Sequence, residues 1–391
     1  MLRVLTLSTL FPDASRPNFG VFVGRQTLGL AAHPDVDLRV VAPIGMPPRP
    51  LARLPHYASR AALPERETWH GVEVWRPRFT ILHGTGGRFH VAALVRRLKP
   101  LLAGIRRDFP FDVINAEFFF PDGPAAIALG RHFGVPVSIK ARGADIHHWG
   151  RTTGTAAQVR RAGRQADGLL AVSQAMRDDM IALGMHADTI RVHHTGVDLD
   201  RFVPADRAAA KAALGIAGPL VVSIGALIPR KGHEVVVRAV AALPGVTLLI
   251  AGEGPDRPAL EAEMAAHGVG ARLRLLGAVP HGELQTLLAA ADVMALCSES
   301  EGLANAWIES LACGTPIVVT GAGGAAEIVD RPCVGRIVPR DVMAFANAIA
   351  GLIADPPPRA ATRAAAERFT WEANSAGLYD HLAALVAGRS G

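Results

Sequence analysis

Residues 298–329 read SESEGLANAWIESLACGTPIVVTGAGGAAEIV and hold most of the chain's recognisable chemistry in one run. Two carboxylates, Glu301 and Glu309, stand eight positions apart, with Gly302 after the first and Asn305 between them. Asn305 and Glu309 are four apart, which on a helix places them on one face. Glu301 and Gly302 are expected at the start of that helix, where unpaired backbone N–H groups attract anions. Cys313-Gly314-Thr315-Pro316 stops the helix, and Pro-Ile-Val-Val-Thr reads as a buried strand. Gly321, Gly323 and Gly324 follow at the strand's C-terminal end, the edge at which open α/β sheets bind ligands. A helix start, paired acids and a glycine turn in one small volume suit a ligand with a diphosphate and several hydroxyls.

The ordered set Ser298, Glu301, Gly302, Asn305, Glu309, Ala312, Cys313, Gly314, Pro316, Gly323, Gly324, Glu327, Ile328 and Val329 resembles the donor site of retaining glycosyltransferases of the GT-B fold, specifically glycosyltransferase family 4. Two glutamates eight apart arise often by chance; a dozen positions matched in order do not. The resemblance implies an α/β chain of two Rossmann-like domains facing a central cleft. Residues 1–195 would bind the acceptor, 196–368 the nucleotide-sugar donor, and 369–391 would form a helix crossing back to the first domain. It further implies sugar transfer to an acceptor hydroxyl with retention at the anomeric carbon. The nucleotide sugar (UDP, GDP or ADP type) would be the substrate, with no cofactor and no metal requirement. The run A-L-I-P-R-K-G-H and the segment A-R-G-x-D are similar to enzymes of cell-surface polysaccharide assembly of the teichuronic acid type.

Working outward, 220–225 is a buried strand, and Arg230-Lys231-Gly232 opens the helix after it. The family pattern G-R-L-x-x-x-K-G has Lys231 in register but Ala226 where an Arg is usual, so Arg230 would supply the missing charge. Fixed cations there offset the charge that a departing diphosphate gains. On this resemblance Glu301, Lys231 and Arg230 are the catalytic candidates. Gly20, Gly225, Gly302, Leu303, Ala304, Asn305, Glu309 and Val279 would hold the donor, Glu309 by offering two acceptor oxygens to a ribose diol. In the first half, Glu117, Arg142 and Asp145 would line the acceptor side. Arg142 contacts a phosphate or an acidic acceptor, or else simply pairs with Asp145. Asp122 is expected to cap a helix running to about residue 131.

Strands are expected at 4–7, 36–42, 72–75, 113–115, 135–140 and 169–173, and their alternation with helices argues a parallel sheet. The proline-rich 44–55 reads as a loop. At 391 residues the chain has room for two cores. No apolar run reaches the length of a membrane span, and MLRVLTLSTLFPD reads as a first strand rather than a leader. Three cysteines without C-x-x-C spacing argue against metal or disulfide roles and fit a reducing cytoplasm. His147 and His148 are adjacent, with no acidic cluster to complete a metal site.

Charge is uneven. Residues 1–200 hold 25 Lys/Arg against 17 Asp/Glu, and 201–391 hold 16 against 18. Much of the excess lies in 88–108, where Leu94, Leu98, Leu101, Leu102 and Ile105 recur at helical spacing among Arg88, Arg96, Arg97, Lys99, Arg106 and Arg107. Pro100 would break or kink that helix. Such a segment either rests weakly on an anionic membrane at the inner face of the cell membrane, or is a surface helix with a solvated basic side. The acceptor would be lipid-linked or a saccharide. An epimerase or hydrolase of the same fold is the alternative activity. A dinucleotide-dependent dehydrogenase lacks its G-x-G-x-x-G after the first strand of either half. A nucleic-acid binder would need basic residues interleaved with aromatics, and only two tyrosines occur.

Overall fold

A computed structural model describes residues 1–16 and 19–389. The chain divides into two compact units, one of Met1–Gly196 with Trp371–Gly391 and one of Val197–Thr370.

The first unit carries strands β1 (Leu2–Leu7), β2 (Val36–Val41), β3 (Ile44–Met46), β4 (Arg66–Trp69), β5 (Val72–Trp75), β6 (Arg78–Thr80), β7 (Val113–Ala116), β8 (Val137–Ala141), β9 (Gly168–Ala171) and β10 (Ile190–Val192). Eight of them form one sheet in the order β10-β9-β8-β7-β1-β2-β5-β4, parallel except for the β4–β5 hairpin. The order reverses on either side of β1, so the switch point lies between β1 and β7, where open sheets leave a crevice at the strands' C-terminal ends. Val4, Val40, Val74 and Val113 are buried on both sides, as continuous β-branched runs in parallel sheets are.

Three local signals set this unit's helices. Gly20, at φ +66, admits the chain into helix Val21–Ala31; a Cβ there would lie 2.1 Å from the Leu10 carbonyl oxygen. Ser173 caps helix Gln174–Ala182 by accepting from the Met176 N–H. Gly134, at φ +70, closes helix Asp122–Phe133. The last helix, Trp371–Ala387, belongs to this unit, with Leu378 and Leu382 in the core beside Val23 and Leu30.

Several expectations change here. Pro100 sits inside an unbroken helix, His90–Asp108. The donor it removes would have served the Arg96 carbonyl, and both residues are exposed where water can substitute. Leu94, Leu98, Leu102 and Ile105 are all buried, so this helix's apolar stripe faces protein and is not available to lipid. The proline-rich 44–55 is not wholly a loop. Its first residues form β3, paired with β6 more than thirty positions on, a partnership that local composition cannot reveal.

The second unit holds β11 (Leu220–Ile224), β12 (Thr247–Ala251), β13 (Leu273–Gly277), β14 (Val293–Leu296), β15 (Ile317–Val319) and β16 (Gly335–Ile337). All six are parallel, in the order β13-β12-β11-β14-β15-β16, a doubly wound mononucleotide-fold pattern with its switch between β11 and β14. Val221, Leu248, Val293 and Val318 form its centre, covered by Val236, Val240, Phe345 and Ile349 from flanking helices.

Candidate active site

In the second unit the switch point gathers the loops after β11 and β14. The β11 loop runs from Gly225 through the short turn Pro229–Lys231 to Gly232, which holds φ +64 and begins helix His233–Ala241. A Cβ on Gly232 would sit 2.2 Å from the Cys297 carbonyl oxygen, so only glycine lets the two loops approach this closely. Lys231 Nζ then donates to Glu301 Oε1 at 2.5 Å, and Ser298 Oγ donates to the same oxygen at 2.6 Å. Arg230 donates to the Ser300 carbonyl and lies 4.0 Å from Glu301 Oε2. Glu301 is buried, whereas the side chains of Lys231 and Arg230 stay 15% and 36% exposed, so both cations remain reachable.

The glycine turn after β15 supports this loop from below. Gly323, at φ +54, would place a Cβ 2.3 Å from the Glu301 carbonyl oxygen, and the Gly324 N–H donates to the Gly302 carbonyl at 2.9 Å. Thr320 Oγ1 donates to the Ser298 carbonyl at 2.5 Å. The expectation that Glu301 and Gly302 open the helix is corrected: the helix is Asn305–Ala312, and residues 301–304 form an approach held by these long-range bonds. Leu303 and Ala304 are buried in that approach. Asn305 and Glu309 do lie on the helix, and Asn305 Oδ1 is buried with no hydrogen-bond partner among the described residues.

Glu309 is not bonded to the Lys231 cluster. Its Oε1 accepts from His281 Nε2 at 2.6 Å, and His281 opens the short turn His281–Glu283 after β13. Val279, two residues earlier, is half-buried in the same connection. Gly225 lies on the other side of the loop, near Lys231 and His233. Burial pushes the His233 imidazole down to about 4, with Lys231 as the second cause.

Sequence reasoning passed over His281 and Arg340. Arg340 donates to the Pro229 carbonyl at 2.8 Å and lies 3.8 Å from Glu299, bracing the outside of the same two loops. Neither belongs to a local pattern; His281 lies two residues after Val279, a donor candidate, and that position was the available signal.

The first unit's strand ends hold a different cluster. Arg142 donates through Nε to the Glu117 carbonyl at 2.7 Å and through Nη2 to Glu117 Oε2 at 2.5 Å. The expected pairing of the Arg142 guanidinium with Asp145 is therefore corrected: the ion pair is with Glu117, and Asp145 takes only backbone donors. Those are the N–H groups of Arg142, Gly143 and Phe119, which fix the loop. Gln26 and Asn115 donate to Glu117 Oε1. Lys140 Nζ reaches Gln26 Oε1 at 2.5 Å and His193 Nδ1 at 2.7 Å. The other His193 nitrogen faces the Asn374 carbonyl and so carries the proton, leaving Nδ1 to accept.

Glu117, Lys140 and Asp145 are all wholly buried. Burial drives the Lys140 ammonium well below the ordinary lysine range, and the Arg142 charge adds to that push. Asp122 is no cap. It is the first residue of its helix, and its Oδ2 accepts from the Thr9 N–H at 2.7 Å. Burial raises it to about 8. Gly20 serves the close approach to Leu10 already described.

Among the described residues no group of three or more His, Cys, Asp or Glu is placed to hold a metal ion. His147 pairs instead with Asp179 at 2.8 Å.

A family profile described as Glycosyltransferase Family 4 matches residues 21–201, and one described as Glycosyl transferases group 1 matches residues 206–369. The D-inositol 3-phosphate glycosyltransferase of Mycobacterium avium is 39% identical over 204 residues, covering 48% of this chain and 48% of the relative. Its Mycobacterium bovis counterpart is 38% identical over 224 residues, covering 53% and 46%. The matched stretch thus spans about half the length of these curated relatives. Among solved structures, sucrose-phosphate synthase from Thermosynechococcus elongatus superposes with a TM-score of 0.84 at 21% identity, covering 99% of this chain and all of the other. Anabaena HepE in complex with UDP gives 0.75 at 20% identity, covering 98% of this chain and all of the other. At such identities the likeness establishes the fold.

Proposed function

The chain belongs to the family 4 glycosyltransferases and has their GT-B fold, and from that premise we propose that it transfers a sugar from a nucleoside-diphosphate sugar to an acceptor hydroxyl, with retention at the anomeric carbon. One observation carries the proposal. Two reachable cations, Lys231 and Arg230, are anchored to the Glu301 loop at the topological switch of the second unit. An ammonium has three donor hydrogens, so Lys231 keeps donors for a phosphate while one holds Glu301. As the glycosidic bond breaks, the leaving diphosphate gains charge, and cations already in position stabilise it without reorganising.

In this reading Glu301 and the amides of residues 302–305 hold the sugar hydroxyls and the phosphates, and Glu309 takes the ribose diol. No side chain is assigned as a nucleophile. The leaving phosphate helps to take the acceptor proton on the same face, and no metal is required because the cations do its electrostatic work. Gly225 and Val279 border the nucleotide, and Arg142 offers its remaining donors to the acceptor. The testing experiment is a thermal-shift screen of UDP, GDP, ADP and their common sugars against the wild type and Lys231→Ala. A ligand that binds the folded state raises the melting point. A shift for at least one nucleotide, lost in Lys231→Ala, is expected; a shift unchanged in that variant overturns the site.

A second reading concerns where the acceptor is met. No helix of the described residues is long and apolar enough to cross a membrane. Eight large hydrophobic side chains are exposed among those residues, and four of them, Leu51, Leu54, Leu82 and Phe89, fall in one part of the first unit. The β3–β6 pairing and a Tyr57–His83 hydrogen bond of 3.2 Å tie 44–64 to 78–107, and these two segments carry ten Lys/Arg and no Asp or Glu. Apolar prongs among an excess of arginines, one of which (Arg97) lies 3.9 Å from Glu65, suit an anionic lipid surface at the inner face of the cell membrane, and hence a lipid-linked acceptor for a surface polysaccharide. Co-sedimentation with phosphatidylglycerol vesicles at low salt, lost on Leu51→Asp with Phe89→Asp, is the expected result. Failure of the wild type to pellet removes this reading and leaves a saccharide acceptor in solution.

A further inference from the structure

We infer that His281 is the positioning residue that gives the donor site its preference for ribose over deoxyribose; this rests on the assignment of Glu309 to the ribose diol. Glu309 is 3% exposed, and its Oε1 takes a 2.6 Å hydrogen bond from His281 Nε2. A carboxylate only accepts, so Nε2 carries the proton and the tautomer is set by Glu309 itself. No hydrogen bond from the described residues reaches Oε2, the second oxygen, and Oε1 keeps a lone pair beside its His281 bond, so both oxygens can meet a diol.

The two partners come from separate elements. Glu309 is on helix Asn305–Ala312 and His281 on the turn after β13, so the bond fixes a side chain that its own helix would leave rotatable. The imidazole is braced in turn by Phe202, whose ring centroid lies 5.5 Å away at a tilt of 59°. A diol needs its acceptor held in one plane to take two hydroxyl hydrogens, whereas a single hydroxyl tolerates a mobile acceptor. Fixing the carboxylate therefore selects between sugars and adds little to the binding of the diphosphate.

The experiment measures dissociation constants of UDP, ADP and GDP and of their 2′-deoxy counterparts by calorimetry for wild type, Glu309→Ala, His281→Ala, His281→Asn and His281→Gln. Wild type should favour the ribonucleotide by about tenfold or more, the scale of losing one hydrogen bond to a charged group. His281→Ala and His281→Asn, the second being a polar side chain too short to reach, should bring the ratio close to unity while the deoxynucleotide affinity stays put. His281→Gln, whose amide can still donate, should restore most of it. If Glu309→Ala loses the preference and both short variants keep it, the His281 inference falls while the ribose assignment stands. If Glu309→Ala keeps the preference, the ribose assignment itself falls. An equal loss for both sugars in the short variants means His281 only supports the fold, which also overturns the inference.

Discussion

The two units share one strand pattern and treat the same edge of it oppositely. In the first, the lysine and the glutamate at the strand ends, Lys140 and Glu117, are wholly buried, with their hydrogen bonds spent on Gln26, Asn115, His193 and an Arg142 that itself stays partly exposed. In the second, a lysine, an arginine and a glutamate at the strand ends stay open enough for Lys231 and Arg230 to meet a ligand. The residue types alone do not separate the two; the supply of neighbouring neutral donors and acceptors does. Where Gln26 and His193 complete the network, charge becomes framework. Where glycine turns hold the backbone back, charge is left for chemistry.

The largest effect expected from breaking this contrast is on stability. Arg142→Ala strands the buried Glu117 carboxylate and should cost about 3–5 kcal/mol of unfolding free energy in denaturant melts, with Arg142→Ala/Glu117→Gln recovering much of it. Next, Lys231→Ala should remove about 2–3 kcal/mol of transition-state stabilisation, roughly 30- to 150-fold in kcat/KM, while the melting point falls less than for Arg142→Ala because Ser298 still donates to Glu301 and Arg230 stays 4.0 Å away.

A matched pair of glycines sharpens the comparison further. Gly20→Ala and Gly323→Ala each force a Cβ onto a carbonyl oxygen at positive φ, and each should cost about 1–2 kcal/mol of stability. Only Gly323→Ala, which displaces the Glu301 loop, should also weaken nucleotide binding in the calorimeter.

The smallest expected effect is a pH response. His233 falls to about 4 in the folded second unit, so between its ordinary value and 4 the unfolded chain binds the extra proton and stability drops as pH falls. From pH 7 to 5.5 that contributes about 1 kcal/mol of loss. In the first unit His381, also near 4, acts in the same direction, but Asp122, raised to about 8, is protonated when folded and regains stability over the same interval. Calorimetric scans should show the second unit's transition moving more, and His233→Asn should flatten it.

Much of this was legible in the sequence because the signals are local. The spacing of Asn305 and Glu309 and the glycines at 323 and 324 lie close together in one stretch, the register of Lys231 is carried by its own short run with Gly232, and the alternating strands follow from composition. The errors share one cause. The start of helix Asn305–Ala312 was misplaced because residues 301–304 are held by Lys231 and Gly323 from other loops. The Arg142–Glu117 pair joins residues 25 apart, and His281 meets Glu309 across 28. The Leu stripe of helix His90–Asp108 was visible, but which environment it faces is decided by the sheet beneath it.

The last helix has a consequence for how the chain comes into being. Leu378 and Leu382 complete a core begun by Val4 and Val23, and His381 bonds Ser138 at 2.9 Å inside it. During synthesis on the ribosome the first unit emerges early yet waits, with an apolar flank bare, until the helix that follows the whole second unit is delivered. The second unit, continuous in the chain, has every segment of its own core in hand before then. A nascent chain halted at residue 370 would therefore carry one finished body and one unfinished one, and the unfinished one is where chaperones would be needed.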